Sequence, residues 1–376
     1  MPNDNLGAAK AAKNDEFYTQ YPDIEKEVNA YLDYDPDTFR DKTVLLPCDD
    51  PEWSNFTKYF AENFERLGLK KLISTSYAPA VKREKYGVSL ELANYEIKAP
   101  HYNAGKHQKC GRKFVLDRDR TGDGRVNFDD LHWTYLKGDG DFRSPEVCKL
   151  RDEADIIVTN PPFSLFREFV AWIVKADKRF LVIGNMNAIT YKEIFPLIKE
   201  NKTWLGATGF VTDMVFGVPE GTIVKDTDRA KAARLGYIGN YTRLGNSCWF
   251  TNLEHGRRHR PLILQTMEDN LKYNKKVKGY PKYDNYDAIE VGHTDAIPSD
   301  YNGVMGVPIS FLDKYCPEQF EIVGSFNASS TEIKGKFGYV MSKDAPILIN
   351  GVEKLWNGPI VNKQPLYKRI CIRHIR

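Results

Sequence analysis

The chain has 376 residues, 41% of them hydrophobic, and 54 basic against 51 acidic side chains leave a net charge of only +3. That length suits two domains, and no apolar run approaches the ~18 residues of a membrane span, so a membrane protein is not expected. A nucleic-acid partner would need a local basic face rather than a basic protein overall.

Met1 to Asn14 is small and polar, without the apolar core of a secretory signal, and the six scattered cysteines form no Cys-x-x-Cys pair. Both features fit a cytoplasmic protein. Asn14-Asp15-Glu16-Phe17-Tyr18-Thr19-Gln20 then leads into a helical repeat at Ile24, Val28, Tyr31 and Leu32. Phe17 and Tyr18 either staple this helix to the core or lie across a cofactor site. Thr43 to Cys48 is the first strong strand, and Asp49-Asp50-Pro51-Glu52-Trp53 follows as an acidic turn. Ser54 is a good N-cap for a helix carrying Phe56, Tyr59, Phe60, Phe64 and Leu67, which Gly68 closes. Lys71 to Tyr77 is a second strand. This βαβ outline lacks the Gly-x-Gly-x-x-Gly fingerprint, which disfavours a dinucleotide. The acidic turn suits a ligand with an amino group and ribose hydroxyls, such as S-adenosylmethionine; the plain alternative is a solvated turn.

From about Val81 to Lys137 the strand-helix rhythm breaks, as in an insertion. Within it, Asp119 to Asp130 has the spacing of an EF-hand loop: oxygen ligands at positions 1, 3, 5, 9 and 12, and Gly124 at position 6. Asp119, Thr121, Asp123 and Asp130 are therefore candidate calcium ligands, unless the loop is a hydrophilic turn using glycine for positive φ. His101, His107 and Cys110 match no zinc motif and read as surface residues. Trp133 to Lys137 is a third strand, ending in Gly138-Asp139-Gly140-Asp141-Phe142. There a carboxylate and an aromatic could bond an adenine amine and stack its ring, or Asp139 and Asp141 could cap the helix starting near Ser144.

The most informative stretch is Asp155-Ile156-Ile157-Val158-Thr159-Asn160-Pro161-Pro162-Phe163. It reads as a buried parallel strand stopped by two prolines, with a polar and an aromatic side chain at its carboxyl end, the edge where open α/β sheets bind ligands. The residue types suit amine chemistry. An exocyclic amine on a base is a poor nucleophile because its lone pair is delocalised into the ring. The Asn160 side-chain oxygen and the Pro161 carbonyl could each accept one amine hydrogen and draw the nitrogen towards tetrahedral geometry. Proline fixes the second acceptor, and Phe163 offers a face to an extruded base. Orientation then carries the reaction. An ordinary Asn-Pro turn is the plain alternative.

Ser164 is expected to cap a helix carrying Leu165, Phe166, Phe169, Val170, Trp172 and Ile173. Phe180 to Gly184 is the next buried strand, and Trp204–Ala207, Leu235–Ile238 and Ser247–Thr251 are later candidates. The turn Arg243-Leu244-Gly245-Asn246 would join the last two as a hairpin, completing a doubly wound α/β sheet. From Glu254 the character changes. Arg257, Arg258 and Arg260, then Lys275, Lys276 and Lys278 interleaved with tyrosines, could bind phosphate and stack on bases, or form a solvated face. The last ten residues are again basic and read as a late strand.

Taken together, Asp15-Glu16-Phe17-Tyr18-Thr19, the turn from Asp49 to Phe56, Gly140-Asp141-Phe142-Arg143-Ser144 and Thr159-Asn160-Pro161-Pro162-Phe163-Ser164-Leu165-Phe166-Arg167 resemble the DNA adenine-N6 methyltransferases of the gamma arrangement, most closely the EcoRI modification methylase family. The likeness covers nearly the whole chain. It implies a Rossmann-like catalytic domain over residues 1–255 that uses S-adenosylmethionine, and a region that recognises double-stranded DNA over 256–376. It would place Phe17, Tyr18 and Thr19 near the methionine part of the cofactor, and Asp49, Asp50 and Pro51 in its binding turn. Asp141 and Phe142 would meet its adenine, and Asn160, Pro161, Pro162 and Phe163 would form the catalytic base pocket. The chain departs from most methyltransferases in lacking the glycine-rich cofactor turn and a ribose-binding acid after the second strand. RNA or protein-glutamine methylation, or a non-catalytic DNA-binding role, are the alternatives. A cognate restriction endonuclease would be a separate chain.

Overall fold

The computed structural model describes residues 18–51, 54–78, 102–210, 214–218, 224–243, 245–326 and 335–375. They fall into two compact units, one running to Met186 and resuming over Gly206–His255, the other comprising Asn187–Leu205 and the chain from Gly256.

The first unit opens with β1 (Tyr18–Thr19) and α1 (Tyr21–Leu32), then β2 (Thr43–Leu46), α2 (Asn55–Glu62), α3 (Phe64–Leu67) and β3 (Lys71–Ser76). Next come α4 (Ala104–Lys109), the strands β4 (Arg112–Leu116) and β5 (His132–Tyr135), α5 (Pro145–Glu153), β6 (Ile156–Thr159), α6 (Phe166–Lys175) and β7 (Arg179–Asn185). The chain passes through the second unit, with α7 (Phe195–Lys199) and β8 (Trp204–Leu205), and returns for β9 (Val215–Gly217), α8 (Asp226–Arg234), β10 (Tyr241–Arg243) and β11 (Ser247–Thr251). The sheet of this unit runs β5-β4-β3-β2-β6-β7-β11. Strands β3, β2, β6 and β7 are parallel, flanked by antiparallel neighbours on both sides. Every residue of β2 and β6 is buried, as continuous apolar runs in a doubly covered parallel sheet should be. Against them pack Ile24, Val28 and Tyr31 of α1 and Phe56, Tyr59 and Phe60 of α2. Gly206 permits a close approach: a Cβ there would stand 2.3 Å from Glu27 Oε1 and 2.4 Å from Trp249 Cβ. The buried Glu27 carboxylate accepts from the amides of Ala207 and Thr208 and from the Tyr31 hydroxyl.

Five expectations change, the last being the surface placement of His107. Leu235–Ile238 is no strand: Leu235 ends α8, the flanking Gly236 and Gly239 have φ of 92° and 110°, and Ile238 is 83% exposed. The Arg243–Asn246 turn accordingly makes no hairpin, because β10 pairs with β9 in a small sheet and β11 with β7 in the large one. Ser164 is not the N-cap of α6, a position taken by Leu165; it lies inside a 3₁₀ turn over Phe163–Leu165 that precedes that helix. The apparent insertion is partly structural, since β4 and β5 extend the sheet beyond β3. His107 sits at that edge, fully buried among the rings of Tyr102, Trp133 and Tyr135. Burial, and then the Arg112 charge, push its imidazole down to about 4. His101 lies outside the described residues.

In the second unit, α9 (Met267–Tyr273) precedes a sheet of β12 (Ile289–Glu290), β13 (Met305–Pro308), β14 (Phe320–Ser325) and, from the basic terminal segment, β19 (Arg369–His374). Their order is β12-β13-β19-β14. Two short ribbons, β15 (Ala345–Ile349) with β16 (Val352–Trp356) and β17 (Ile360–Val361) with β18 (Gln364–Pro365), complete it. Tyr283, Phe326, Val340 and Cys371 form part of its core. Among the described residues no helix is long and apolar enough to cross a membrane.

Candidate active site

The carboxyl ends of β2 and β6, adjacent parallel strands, carry the two stretches that the sequence singles out. Asp49, in the turn after β2, joins them. Its Oδ1 accepts from Ser54 Oγ at 2.6 Å and its Oδ2 from Thr159 Oγ1 at 2.5 Å. Its carbonyl accepts from the hydroxyls of Thr57 and Ser74. Ser54 in turn accepts from the amide of Phe56 as the N-cap of α2. Asp50 forms a buried ion pair with Arg112 of β4, whose Nε also donates to Ser76 Oγ at 3.0 Å. Both acids of the turn are thus committed inside the protein, and Pro51 is buried beside them. Glu52 and Trp53 lie outside the described residues.

Asn160 follows Thr159 directly and is half-buried; Pro161 is buried, and Pro162 and Phe163 are partly open. The Phe163 ring meets the buried ring of Phe216 edge-on, centroids 6.5 Å apart. Phe216 lies on β9, opposite Thr19 in the antiparallel pairing of β1 with β9. The Thr19 carbonyl is tied to α2 by Asn55 Nδ2 at 2.8 Å, while its buried hydroxyl has no hydrogen-bond partner among the described residues. A buried hydroxyl without a partner is costly, and a ligand supplying one removes that cost. Tyr18, on the same two-residue strand, is half-buried, and Phe17 lies outside the described residues. β1 is therefore brought to the Asn-Pro-Pro-Phe edge by strand pairing and by Asn55.

The Gly138–Phe142 loop packs onto the end of β3. The Ala78 amide donates to Asp139 O at 2.8 Å, and a Cβ on Gly140 (φ 90°) would fall 2.4 Å from the Ser76 carbonyl, so only glycine fits. Asp141 is gripped by Arg143, whose Nη2 donates to Oδ2 at 2.7 Å and whose amide and Nε donate to Oδ1. Burial opposes ionisation here, but these hydrogen bonds and the guanidinium charge outweigh it and bring Asp141 down to about 2. Phe142 is buried, edge-on to Phe169 and Trp172 of α6, with the Arg143 guanidinium over its ring at 5.2 Å.

A strand-borne Asn-Pro-Pro-Phe, locked to an acidic turn on the neighbouring strand, is the frame on which the comparisons bear. Residues 5–375 match the family model described as adenine-specific methyltransferase EcoRI. The chain belongs to that family. It is 46% identical over 328 residues to the type II methyltransferase M.EcoRI of Escherichia coli, covering 85% of this chain and 88% of that protein. It is 36% identical to the type II methyltransferase M.MgeORF184P of Mycoplasma genitalium, over 85% of each chain. With M.MpnI of Mycoplasma pneumoniae the figure is 35%, over 84% of this chain and 83% of the relative. No solved structure matches. The chain is an adenine-specific DNA methyltransferase with a mixed α/β fold.

The methyltransferase holds its basic residues in two ways. Arg257 pairs with Asp313 at 2.5 Å, and the Arg258 guanidinium is buried over the Trp204 ring at 3.8 Å, with Nη2 donating to Asn201 Oδ1. These two are packing residues of the second unit rather than an open phosphate-binding face. Arg260, Lys275, Lys276 and Lys278 are exposed, Lys276 pairing with Asp295 at 3.0 Å.

In the EF-hand-like loop the acids are occupied by the loop's own amides. Asp119 accepts from Gly122 and Gly124, Asp123 from Arg125, and Asp130 from Arg120, Thr121 and Asn127; the Thr121 hydroxyl turns to Asp119 at 3.4 Å. Among the described residues no group of three or more His, Cys, Asp or Glu side chains is placed to hold a metal.

Sequence reading missed Arg112 as the partner of Asp50. The signal was an arginine in phase with Phe114 and Leu116, on the buried face of an alternating strand.

Proposed function

We propose that the chain transfers a methyl group from S-adenosylmethionine to the N6 amine of an adenine flipped out of double-stranded DNA, in the cytoplasm, as the modification half of a restriction-modification pair. The observation that carries this reading is the Asn160-Pro161-Pro162-Phe163 edge, tied through Thr159 to Asp49 and standing beside the Thr19 hydroxyl. S-adenosylmethionine supplies an activated sulfonium methyl. Thr19 with Tyr18 and Phe17 would face its methionine end, and the Asp49-Asp50-Pro51 turn would support it from below. Asp141 would accept from its adenine amine, with Phe142 forming the packed floor. Because both acids of the turn are engaged internally, they shape the site instead of reaching into it.

Asn160 Oδ1 and the Pro161 carbonyl would accept the two hydrogens of the target amine, Pro162 would hold the turn, and Phe163 would stack on the extruded base. No side chain need take a proton before transfer; positioning supplies the rate. On the DNA side, Arg260, Lys275, Lys276 and Lys278 would lie against phosphate.

Mass spectrometry of nucleosides from unmethylated duplex DNA, incubated with the protein and S-adenosylmethionine, tests the reading. N6-methyladenine from the wild type and none from Asn160→Ala is the expected result. No modified base across varied duplexes, despite measurable cofactor binding, would refute it.

A further inference from the structure

The ribbon of β15 and β16 has no part in the chemistry described so far. Among the described residues its two strands pair only with each other. They are joined by Asn350 and Gly351, whose φ of 51° and 78° are the left-handed pair of a two-residue hairpin turn. The root of the ribbon is held firmly. The buried Asn285 donates from Nδ2 to the carbonyls of Lys343 and Gly358, at 3.0 and 2.8 Å, and its own carbonyl accepts from the Lys343 amide. Ser342 Oγ donates to the Asn357 carbonyl at 2.6 Å. One face of the ribbon packs inward through the buried Ile347.

The other face is open and largely apolar. Pro346 stands opposite Leu355, and Leu348 opposite Glu353, so these four side chains share one side of the ribbon. All four are exposed, Leu348 by 66% and Leu355 by 72%. Two leucines left in water contribute nothing to a ribbon rooted by Asn285, whereas a partner that covers them gains their burial.

Charge decides which partner. Residues 335–375 hold seven lysines and arginines against two acids, while the whole chain carries only +3. Lys336, Lys343, Lys354 and Lys363 are exposed and enter no salt bridge among the described residues. A second copy of the chain would set these ammonium groups against their own kind; DNA sets phosphates against them. Glu353 narrows the contact further. A carboxylate beside two leucines repels phosphate but accepts from the exocyclic amine of cytosine or adenine, so this face suits base edges and the lysines suit the backbone. The major groove, about 12 Å wide, admits a two-stranded ribbon, and thymine alone presents an apolar methyl there. We propose that the β15–β16 ribbon enters the major groove of the DNA substrate, with Leu348 and Leu355 against thymine methyls. The inference rests on the reading that the chain binds double-stranded DNA.

The test compares two duplexes that contain the methylated site, one with thymine and one with deoxyuridine throughout, which differ only in the C5 methyls. The full-length wild type should bind the deoxyuridine duplex more weakly, by about fourfold for each methyl covered. The double variant Leu348→Ser and Leu355→Ser changes exposed positions, so it should melt with the wild type and bind S-adenosylmethionine equally well. It should bind both duplexes alike, at the weaker affinity. If it melts early, Leu348→Ala or Leu355→Ala alone should remove part of the difference. Lys343→Ala with Lys354→Ala should lower the slope of log affinity against log salt by nearly two and leave the thymine–deoxyuridine ratio unchanged. Equal binding of the two duplexes by the wild type overturns the proposal, as does a well-folded leucine variant that keeps the wild-type ratio. Sedimentation showing dimers that the leucine variant dissolves would assign the face to a second copy and overturn it too. Failure of the wild type to bind any duplex, with cofactor binding intact, is a different result: it removes the DNA reading, and the proposal with it.

Discussion

Asp49 shows how one side chain can tie the turn after β2 to the Asn-Pro-Pro-Phe loop. Its two oxygens accept from Ser54, which starts α2, and from Thr159, 110 residues further on and one residue before Asn160. Thr159→Val keeps the shape and removes one donor to a buried carboxylate, at a cost of about 1–3 kcal/mol. Because the loss falls next to Asn160, kcat should drop by about tenfold or more while the affinity for S-adenosylmethionine changes little. Thr159→Ser, which restores the hydroxyl, should recover most of the rate. Equal losses in rate and cofactor affinity, or no rescue by serine, would show that Thr159 acts only in packing. The Asn-Pro-Pro-Phe segment at the end of a buried strand was legible in the sequence because its residues are contiguous. Thr159 was legible only as part of a strand, since its partner lies on a different strand and no local pattern links the two. The partner of the acidic turn was hidden for a related reason: the arginine that pairs with Asp50 lies 62 residues away.

At the level of elements, periodicity identified those whose partners are local. Buried parallel strands, the Ser54 cap and the Gly68 stop all appear where apolar runs and punctuation place them. It failed where pairing is remote. A strand assignment for Leu235–Ile238 follows from apolar content, but Leu235 and Ile238 are exposed, and the chain waits until Tyr241 to pair with β9. In the Asp119–Asp130 loop, whose spacing reads as a cation loop, the acids accept from the loop's own amides. Asp130 is its anchor. Burial would raise this carboxyl, but hydrogen bonds from the amides of Arg120, Thr121 and Asn127 outweigh that and hold it at about 2. A folded value below the ordinary ~3.9 of an aspartate means that the carboxylate stabilises the fold above that value. The contribution is lost as pH falls from there towards 2. Asp130→Asn should therefore destabilise the protein at pH 7, where the amide nitrogen would confront the Asn127 amide. It should also flatten the decline of stability between about pH 4 and pH 2. Denaturant unfolding of both proteins across that range checks the sign, and parallel curves would show that the loop contributes nothing to acid unfolding.

For the whole molecule, 54 basic and 51 acidic residues produce no strong global field, so attraction to DNA must come from particular cations. Sequence alone gives Arg257, Arg258, Arg260 and Lys275 the same standing, because a run of positive charge says nothing about which members face solvent. Packing separates them. Arg258 is buried over Trp204 and Arg257 is paired with Asp313, whereas Arg260 and Lys275 are exposed and enter no salt bridge among the described residues. Each phosphate neutralised contributes about 0.9 to the slope of log affinity against log salt. Replacing Arg260 and Lys275 together by alanine should thus lower that slope by nearly two and weaken binding uniformly across duplex sequences, with little change in melting temperature. Arg258→Ala should do the reverse. It removes a buried cation–π contact and leaves Asn201 without its donor, so it should cost about 1–3 kcal/mol of stability and leave the salt slope alone in whatever fraction stays folded. Fluorescence anisotropy over a salt series, paired with thermal melts of the same variants, separates the two behaviours. A slope unchanged in the double variant would move the phosphate contacts away from Arg260 and Lys275, and a slope that falls in Arg258→Ala would mean that its guanidinium leaves Trp204 when DNA binds.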